Sequence, residues 1–444
     1  MHSFPAFFPL EGRRVVVIGA GEAADAKARL FEGGPAELLR LAAPDAAALA
    51  GAALVFVAEA DPAKRMAAVR AARAARAPLN VVDHPGLCDF YTPAIVDRGA
   101  LVIAVSSSGA APTLARDLRA KIEALVPAAF ERLAAFAERI RPRVSARRPG
   151  LDGRRRAWEA ILRGAAGEHA LAGDFDAAER AAEKALQGDA RAAGVVHLIG
   201  AGPGDPELLT LKALRVLQDA DVIYYDKLVD PRILELARRD AARVFVGKAR
   251  GAHAMAQREI EARIIAAAKA GQRVARLKGG DPFIFGRGGE ELDALRQAGV
   301  AAFVVPGVTA ALGCAAEAGV PLTHRDHAQA VTFVTGHSKA GAAPDIDWAA
   351  LSSPRHTIVV YMGVDAAPII ARKLIEAGRA PQTPALVIEN GTTPRMKRAA
   401  GKLERLGELI IEAEIYGPAI LIIGDVAQAA AADADSRATL EHAP

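Results

Sequence analysis

The stretch from Val195 to Val229, VVHLIGAGPGDPELLTLKALRVLQDADVIYYDKLV, restricts the fold of this chain more than any other. It opens on the apolar run Val195 to Ile199, which has the length and composition of a buried strand. GAGPGD follows, with Gly200, Gly202 and Gly204 at alternate positions. Residues without a Cβ allow positive φ and let a ligand lie against the main chain. Leu208, Leu211, Leu214 and Leu217 then recur at helical steps, with Lys212, Arg215 and Gln218 between them. A second apolar run, Val222 to Tyr225, ends on Asp226. Strand, glycine turn, helix and a strand with an acid at its carboxyl end make a βαβ unit, with a ligand site above the sheet. A glycine-rich turn also serves as a tight connection and nothing more, so the rest of the chain must decide.

Beyond Asp226, short apolar runs keep ending in glycine, proline or polar residues. Val244–Val246 ends at Gly247-Lys248, and Val274–Leu277 at Lys278-Gly279-Gly280-Asp281-Pro282. Ala302–Val305 runs into Pro306-Gly307-Val308-Thr309, and Val331–Val334 into Thr335-Gly336-His337. Thr357–Tyr361 ends at Met362-Gly363 and Leu386–Ile388 at Glu389-Asn390-Gly391. Open α/β sheets bind ligands at the carboxyl ends of their strands, and these ends carry the residues for it.

The N-terminal part repeats the strand–glycine–helix theme. Strand Val15–Ile18 leads into Gly19-Ala20-Gly21-Glu22-Ala23-Ala24, the G-x-G-x-x-A form of the dinucleotide fingerprint, placed between strand and helix. Ala53–Ala58, Leu79–Val82 and Leu101–Val105 are further strands expected of a doubly wound sheet. No acid stands clearly at the ribose position, since Glu37 precedes the second strand and Asp45 lies beyond it. Between the two α/β parts the chain is helical. Ten arginines face three acids, Glu138, Asp152 and Glu159, between Arg132 and Arg163. A solvated helix face is the default for such a run, although guanidinium groups also pair with the carboxylates of an acidic substrate.

At 444 residues the chain is long enough for two or three cores. It has no apolar run approaching a membrane span, and its N-terminus lacks the basic segment of a secretory signal. Cys88 and Cys314 are far apart and make no metal-ligand spacing, as in a reduced, cytoplasmic enzyme. A net charge of +4 is too small to argue by itself for nucleic-acid binding.

Residues 194 to 426, through GAGPGD and RVARLKGGDPFIFGRGGEE, closely resemble the uroporphyrinogen-III C-methyltransferases of the tetrapyrrole methylase family. The N-terminal words GAGEAADAKARL and NVVDHPGLCDFYTPAIVDRGALVIAVSSSGAAPTLAR resemble the precorrin-2 dehydrogenase and sirohydrochlorin ferrochelatase module of siroheme synthases. The resemblance implies an α/β protein with a Rossmann-like NAD-binding domain (1–112), a helical dimerisation and linker region (113–193) and a two-lobed methylase domain (194–430); the last residues (431–444) have no apolar period and are expected to form a disordered tail. It implies that Pro203, Gly279, Gly280, Asp281, Ile284, Thr309, Ala310, Met362 and Gly391 hold S-adenosylmethionine. Asp226 would be the proton acceptor and Lys248 the proton donor. In the N-terminal domain it implies NAD contacts at Gly19, Gly21, Glu22, Ala23, Ala43 and Pro44. Asp97 would be the acid for both oxidation and the transient handling of ferrous iron, a substrate. His84 and Ser106 to Ser108 would line the same cleft. Tetrapyrrole substrates and a homodimer are implied, with neither nucleic acid nor membrane as partner. The chain departs from the family in two places. Leu38 to Leu54 is short, as if a peripheral strand were missing, and Ala249 follows Lys248 where an arginine is usual. A methyltransferase with a non-catalytic N-terminal binding or dimerising module therefore stays open as a second reading.

Overall fold

The computed structural model describes residues 3–187, 194–247, 256–336 and 345–428. Lys248, His337 and the tail 431–444 lie outside the described residues. The chain divides into two compact units, Met1–Ala135 and Phe136–Pro444.

In the first unit β1 (Arg14–Gly19), β2 (Glu37–Leu41), β3 (Leu54–Ala58) and β4 (Leu79–Val81) form a parallel sheet of order β2-β1-β3-β4. The inner strands are continuous apolar runs because both faces are covered. Val16, Ile18, Val55 and Val57 pack one way, and Val15, Val17, Leu54 and Phe56 the other. The short segment between Leu38 and Leu54 still supplies the edge strand β2, followed by one helical turn, Ala46–Leu49. Glu37 is part of β2, paired with Arg14 at 3.3 Å.

Leu101–Val105 departs from the sequence expectation. β5 (Ala94–Arg98) and β6 (Leu101–Val105) form a separate antiparallel pair instead of extending the parallel sheet. The reversal at Gly99 and Ala100 is too tight for a parallel crossover. β6 also stays largely exposed, whereas every residue of β3 is buried.

The helices Ala129–Arg147, Leu151–Arg163, Ala165–Ala172 and Phe175–Gln187 follow, and the division between units falls within the first of them. The arginine run is partly absorbed here. Arg139 and Arg143 pair with Glu179 at 2.5 and 2.7 Å, and Arg147 with Glu183 at 2.6 Å.

The rest of the second unit is two α/β lobes. β7 (Val195–Gly200), β8 (Val222–Tyr225), β9 (Ala242–Phe245), β10 (Arg273–Lys278) and β11 (Ala301–Val305) make a parallel sheet of order β11-β7-β10-β8-β9. β12 (Ala330–Thr335), β13 (His356–Tyr361), β14 (Pro384–Glu389), β15 (Lys397–Lys402) and β16 (Ala419–Ile423) make a mixed sheet of order β12-β13-β16-β14-β15. The boundary expected before Val195 is bridged by a buried acid. Glu168, in helix Ala165–Ala172, pairs with Arg273 of β10 at 3.1 Å and lies 3.3 Å from His197 Nε2 of β7.

Candidate functional site

In the second unit the carboxyl ends of β7, β10 and β11 meet main chain to main chain. Gly202 and Gly280 exchange hydrogen bonds of 3.1 and 2.7 Å, and the N–H of Ala201 donates to the Lys278 carbonyl at 2.7 Å. A Cβ on Gly200 would stand 2.5 Å from Gly307 N and 2.6 Å from the Gly280 carbonyl, so only glycine permits this approach. Gly280 has φ +67° beside Ala310 N and the Thr309 Cα. Asp281 fastens two of these loops, accepting from Phe283 N at 2.8 Å and Gly307 N at 3.1 Å.

The other lobe reaches the same place. Thr309 Oγ1 and the Tyr361 hydroxyl are 2.6 Å apart, and that hydroxyl accepts from Ala311 N at 3.0 Å. Burial pushes the Tyr361 phenol above its ordinary value. Met362 follows at φ +54°, with about half its surface exposed. Gly391 lies against Cys314 of the helix that begins at Ala310, and burial pushes that thiol up to about 12, leaving it inert. Pro203 packs under Gly313 of the same helix, and Ile284 packs against the core cluster that contains Ala311. The nine residues expected to hold S-adenosylmethionine thus gather where the strand ends of the two lobes meet.

Asp226 stands at the end of β8 with its side chain 22 % exposed. Its Oδ1 accepts from Leu228 N at 3.0 Å, and its Oδ2 is 3.5 Å from Arg276 Nη2. Arg276 and Lys278 are buried on β10, and both meet Glu291 Oε1 at 3.1 Å. Burial and then the neighbouring guanidinium lower the Lys278 pKa. Burial opposes ionisation of Glu291, but Arg276 and Lys278 outweigh it and hold the carboxyl below the usual range. Sequence reasoning passed over Arg276, Glu291 and Tyr361. The available signal was RVARLK, two alternate cations in a strand whose every residue is buried.

In the first unit Gly19, Gly21, Glu22 and Ala23 leave β1 at the edge where Ala43 and Pro44 leave β2, because the two strands are parallel with Ile18 opposite Leu41. Space around Gly21 is open, with φ +83° at the start of helix Glu22–Ala28, as a pyrophosphate close to the backbone requires. A cleft of about 620 Å³ opens beside the end of β4, and His84, Ser106, Ser107, Lys27 and Arg116 help line it. Ser108 is not part of that lining; its N–H donates to Ser106 Oγ at 3.1 Å. Asp97 is exposed on β5, where its carboxylate accepts from Gly99 N at 2.9 Å, and it too stands outside the lining. Among the described residues no group of three or more His, Cys, Asp or Glu is placed to hold a metal ion.

The fold and these sites define an α/β protein that joins a dinucleotide-binding unit to a two-lobed methylase. Residues 195–407 match the tetrapyrrole (corrin/porphyrin) methylases, 129–186 the sirohaem synthase dimerisation region, 98–125 the sirohaem biosynthesis protein central region and 36–94 an NAD(P)-binding family. The chain is 48% identical over 452 residues to a siroheme synthase of Pseudomonas paraeruginosa, covering 96% of this chain and 97% of that one. It is 47% identical to a siroheme synthase of Azotobacter vinelandii, covering 96% of each. It therefore belongs to the siroheme synthase family. A uroporphyrin-III C-methyl transferase from Thermus thermophilus, complexed with S-adenyl homocysteine, is 44% identical; it covers 53% of this chain and 100% of its own, with a TM-score of 0.47. No helix among the described residues is long and apolar enough to cross a membrane.

Proposed function

We propose that this chain makes siroheme from uroporphyrinogen III. The ring is methylated at C2 and C7 to precorrin-2, oxidised to sirohydrochlorin, and given ferrous iron as substrate. One observation carries the reading: a methylase unit and an NAD(P)-binding unit stand in one chain, matched along almost its whole length to siroheme synthases. Bound S-adenosylmethionine supplies a methyl group on sulfonium, and bound NAD accepts a hydride. The chain's own residues do the rest.

Pro203, Gly279, Gly280, Asp281, Ile284, Thr309, Ala310, Met362 and Gly391 hold the methyl donor in line with a pyrrole carbon, and positioning supplies most of the rate. Asp226 stabilises the cation that develops on the ring and accepts its proton, while Lys248 donates a proton or anchors a substrate carboxylate. Gly19, Gly21, Glu22, Ala23, Ala43 and Pro44 hold the dinucleotide. Asp97 takes the proton released on oxidation and the pyrrole protons displaced by iron. Asp97 is exposed and outside the cleft of its own unit, so it acts where a neighbouring surface completes the site. A homodimer formed through the dimerisation region supplies such a surface.

The working parts run 1–112, 113–193 and 194–430, with 431–444 as a tail, in a cytoplasmic enzyme. The test is stepwise: uroporphyrinogen III with S-adenosylmethionine, then NAD, then ferrous iron, followed by absorbance. Precorrin-2, sirohydrochlorin and siroheme should appear in turn. Methylation without NAD consumption would leave a methyltransferase with a non-catalytic N-terminal module.

A further inference from the structure

Arg276 is 4% exposed, and each side of its guanidinium has a different task. Nε donates to Glu291 Oε1 at 3.1 Å, and Nη1 donates to the Leu277 carbonyl at 2.9 Å and to the Tyr224 carbonyl at 3.5 Å. Nη2 faces Asp226 Oδ2 at 3.5 Å. Tyr224 pairs with Arg276 across β8 and β10, so one side chain grips both the backbone that carries Asp226 and its carboxylate. Glu291, 1% exposed in helix Gly288–Gln297, anchors the arrangement. Its Oε1 also accepts from Lys278 Nζ and from Gln257 Nε2, each at 3.1 Å, while its buried Oε2 has no hydrogen-bond partner among the described residues.

Two cations and an acid buried beneath a half-buried carboxylate are a costly way to join two strands, and apolar residues would join them with less desolvation. Such clusters gather where a charge must be held ready. We infer that Arg276, anchored by Glu291, is the positioning residue that fixes the Asp226 carboxylate in one orientation to receive the proton. The inference rests on the reading of Asp226 as proton acceptor. Among the described residues, the charged groups set around Asp226 are Arg276 and Lys278 from β10 and Glu291 from its helix, with Lys227 next in the chain.

The experiment measures kcat and KM for uroporphyrinogen III methylation in the full-length protein. Arg276→Gln should lower kcat about tenfold or more with KM little changed, because the carboxylate is no longer held in line with the ring. Arg276→Lys should recover part of that kcat. Glu291→Gln should lower kcat in the same way, since the guanidinium loses its anchor. S-adenosylmethionine affinity by calorimetry should stay within about threefold in all three, because none of these groups is among the nine that hold it. Adding Arg276→Gln to Asp226→Asn should cost nothing beyond Asp226→Asn alone, as expected of a residue that acts through another. An unchanged kcat in Arg276→Gln, no recovery in Arg276→Lys, or additive losses in the double variant would make the cluster a scaffold and overturn the inference. If Arg276→Gln does not fold, the kcat of Glu291→Gln decides. Asp226→Asn with undiminished turnover would instead remove the reading beneath it.

Discussion

Gly280 and Asp226 lie near each other in the chain's second unit, yet they should fail in different ways. Gly280 has φ +67°, so Gly280→Val strains the backbone and fills the space beside the strand ends. S-adenosylmethionine binding by calorimetry should fall below detection while the protein stays folded by circular dichroism. Asp226→Ala should keep that binding and lose about a hundredfold or more in turnover, the range for a positioned proton acceptor. In the first unit, Asp97→Asn should depress NAD reduction and iron insertion together while precorrin-2 forms at the normal rate. Iron insertion that survives loss of oxidation would mean that two groups share the work. The place of Asp226 at a strand end was legible in the chain, because the apolar run Val222 to Tyr225 stops just before it. Arg276 was not, since its role depends on Tyr224 and Glu291, residues distant in sequence that only strand pairing and helix packing bring to it.

Between elements, the contact to test is the one Tyr361 makes from the end of β13 to Thr309 and Ala311 at the start of a helix after β11. Tyr361→Phe removes an acceptor and a donor at once and leaves Thr309 unpaired in a buried setting. About 1–3 kcal/mol should be lost from stability by denaturant titration, with a raised KM for S-adenosylmethionine and an unchanged KM for uroporphyrinogen III. The parallel strands β1, β3, β7, β8 and β10 were readable from their apolar runs, because strands covered on both faces need little else. Leu101–Val105 misled for a physical reason. Its apolar composition is that of a central strand, but Gly99 turns it back on β5 before any crossover is possible, which leaves much of it exposed.

On the scale of the whole molecule, Glu168 decides where the methylase can be cut. A fragment beginning at Phe136 should fold and methylate, whereas one beginning at Gly194 leaves Arg273 and His197 without their buried acid. The shorter fragment should be insoluble or melt well below the longer one in calorimetry. The same cluster sets an acid limit. Burial disfavours the Glu168 anion, but His197 and Arg273 outweigh it, so its folded pKa is depressed; burial depresses that of His197 as well. Stability from both is present above their unfolded values and is lost as pH falls, first through the histidine range and then through the carboxylate range. Glu168→Gln should flatten the lower part of that loss in thermal melts. The local pattern of apolar runs and glycines determined by itself that this chain builds α/β units with ligand sites at their strand ends, because strand burial and tight turns are decided by neighbours in sequence. The Glu168 bridge and the charges beneath Asp226 were decided only by the tertiary structure. Each depends on which distant residues share a buried space, and a buried charge shows its purpose only when its partner is in place.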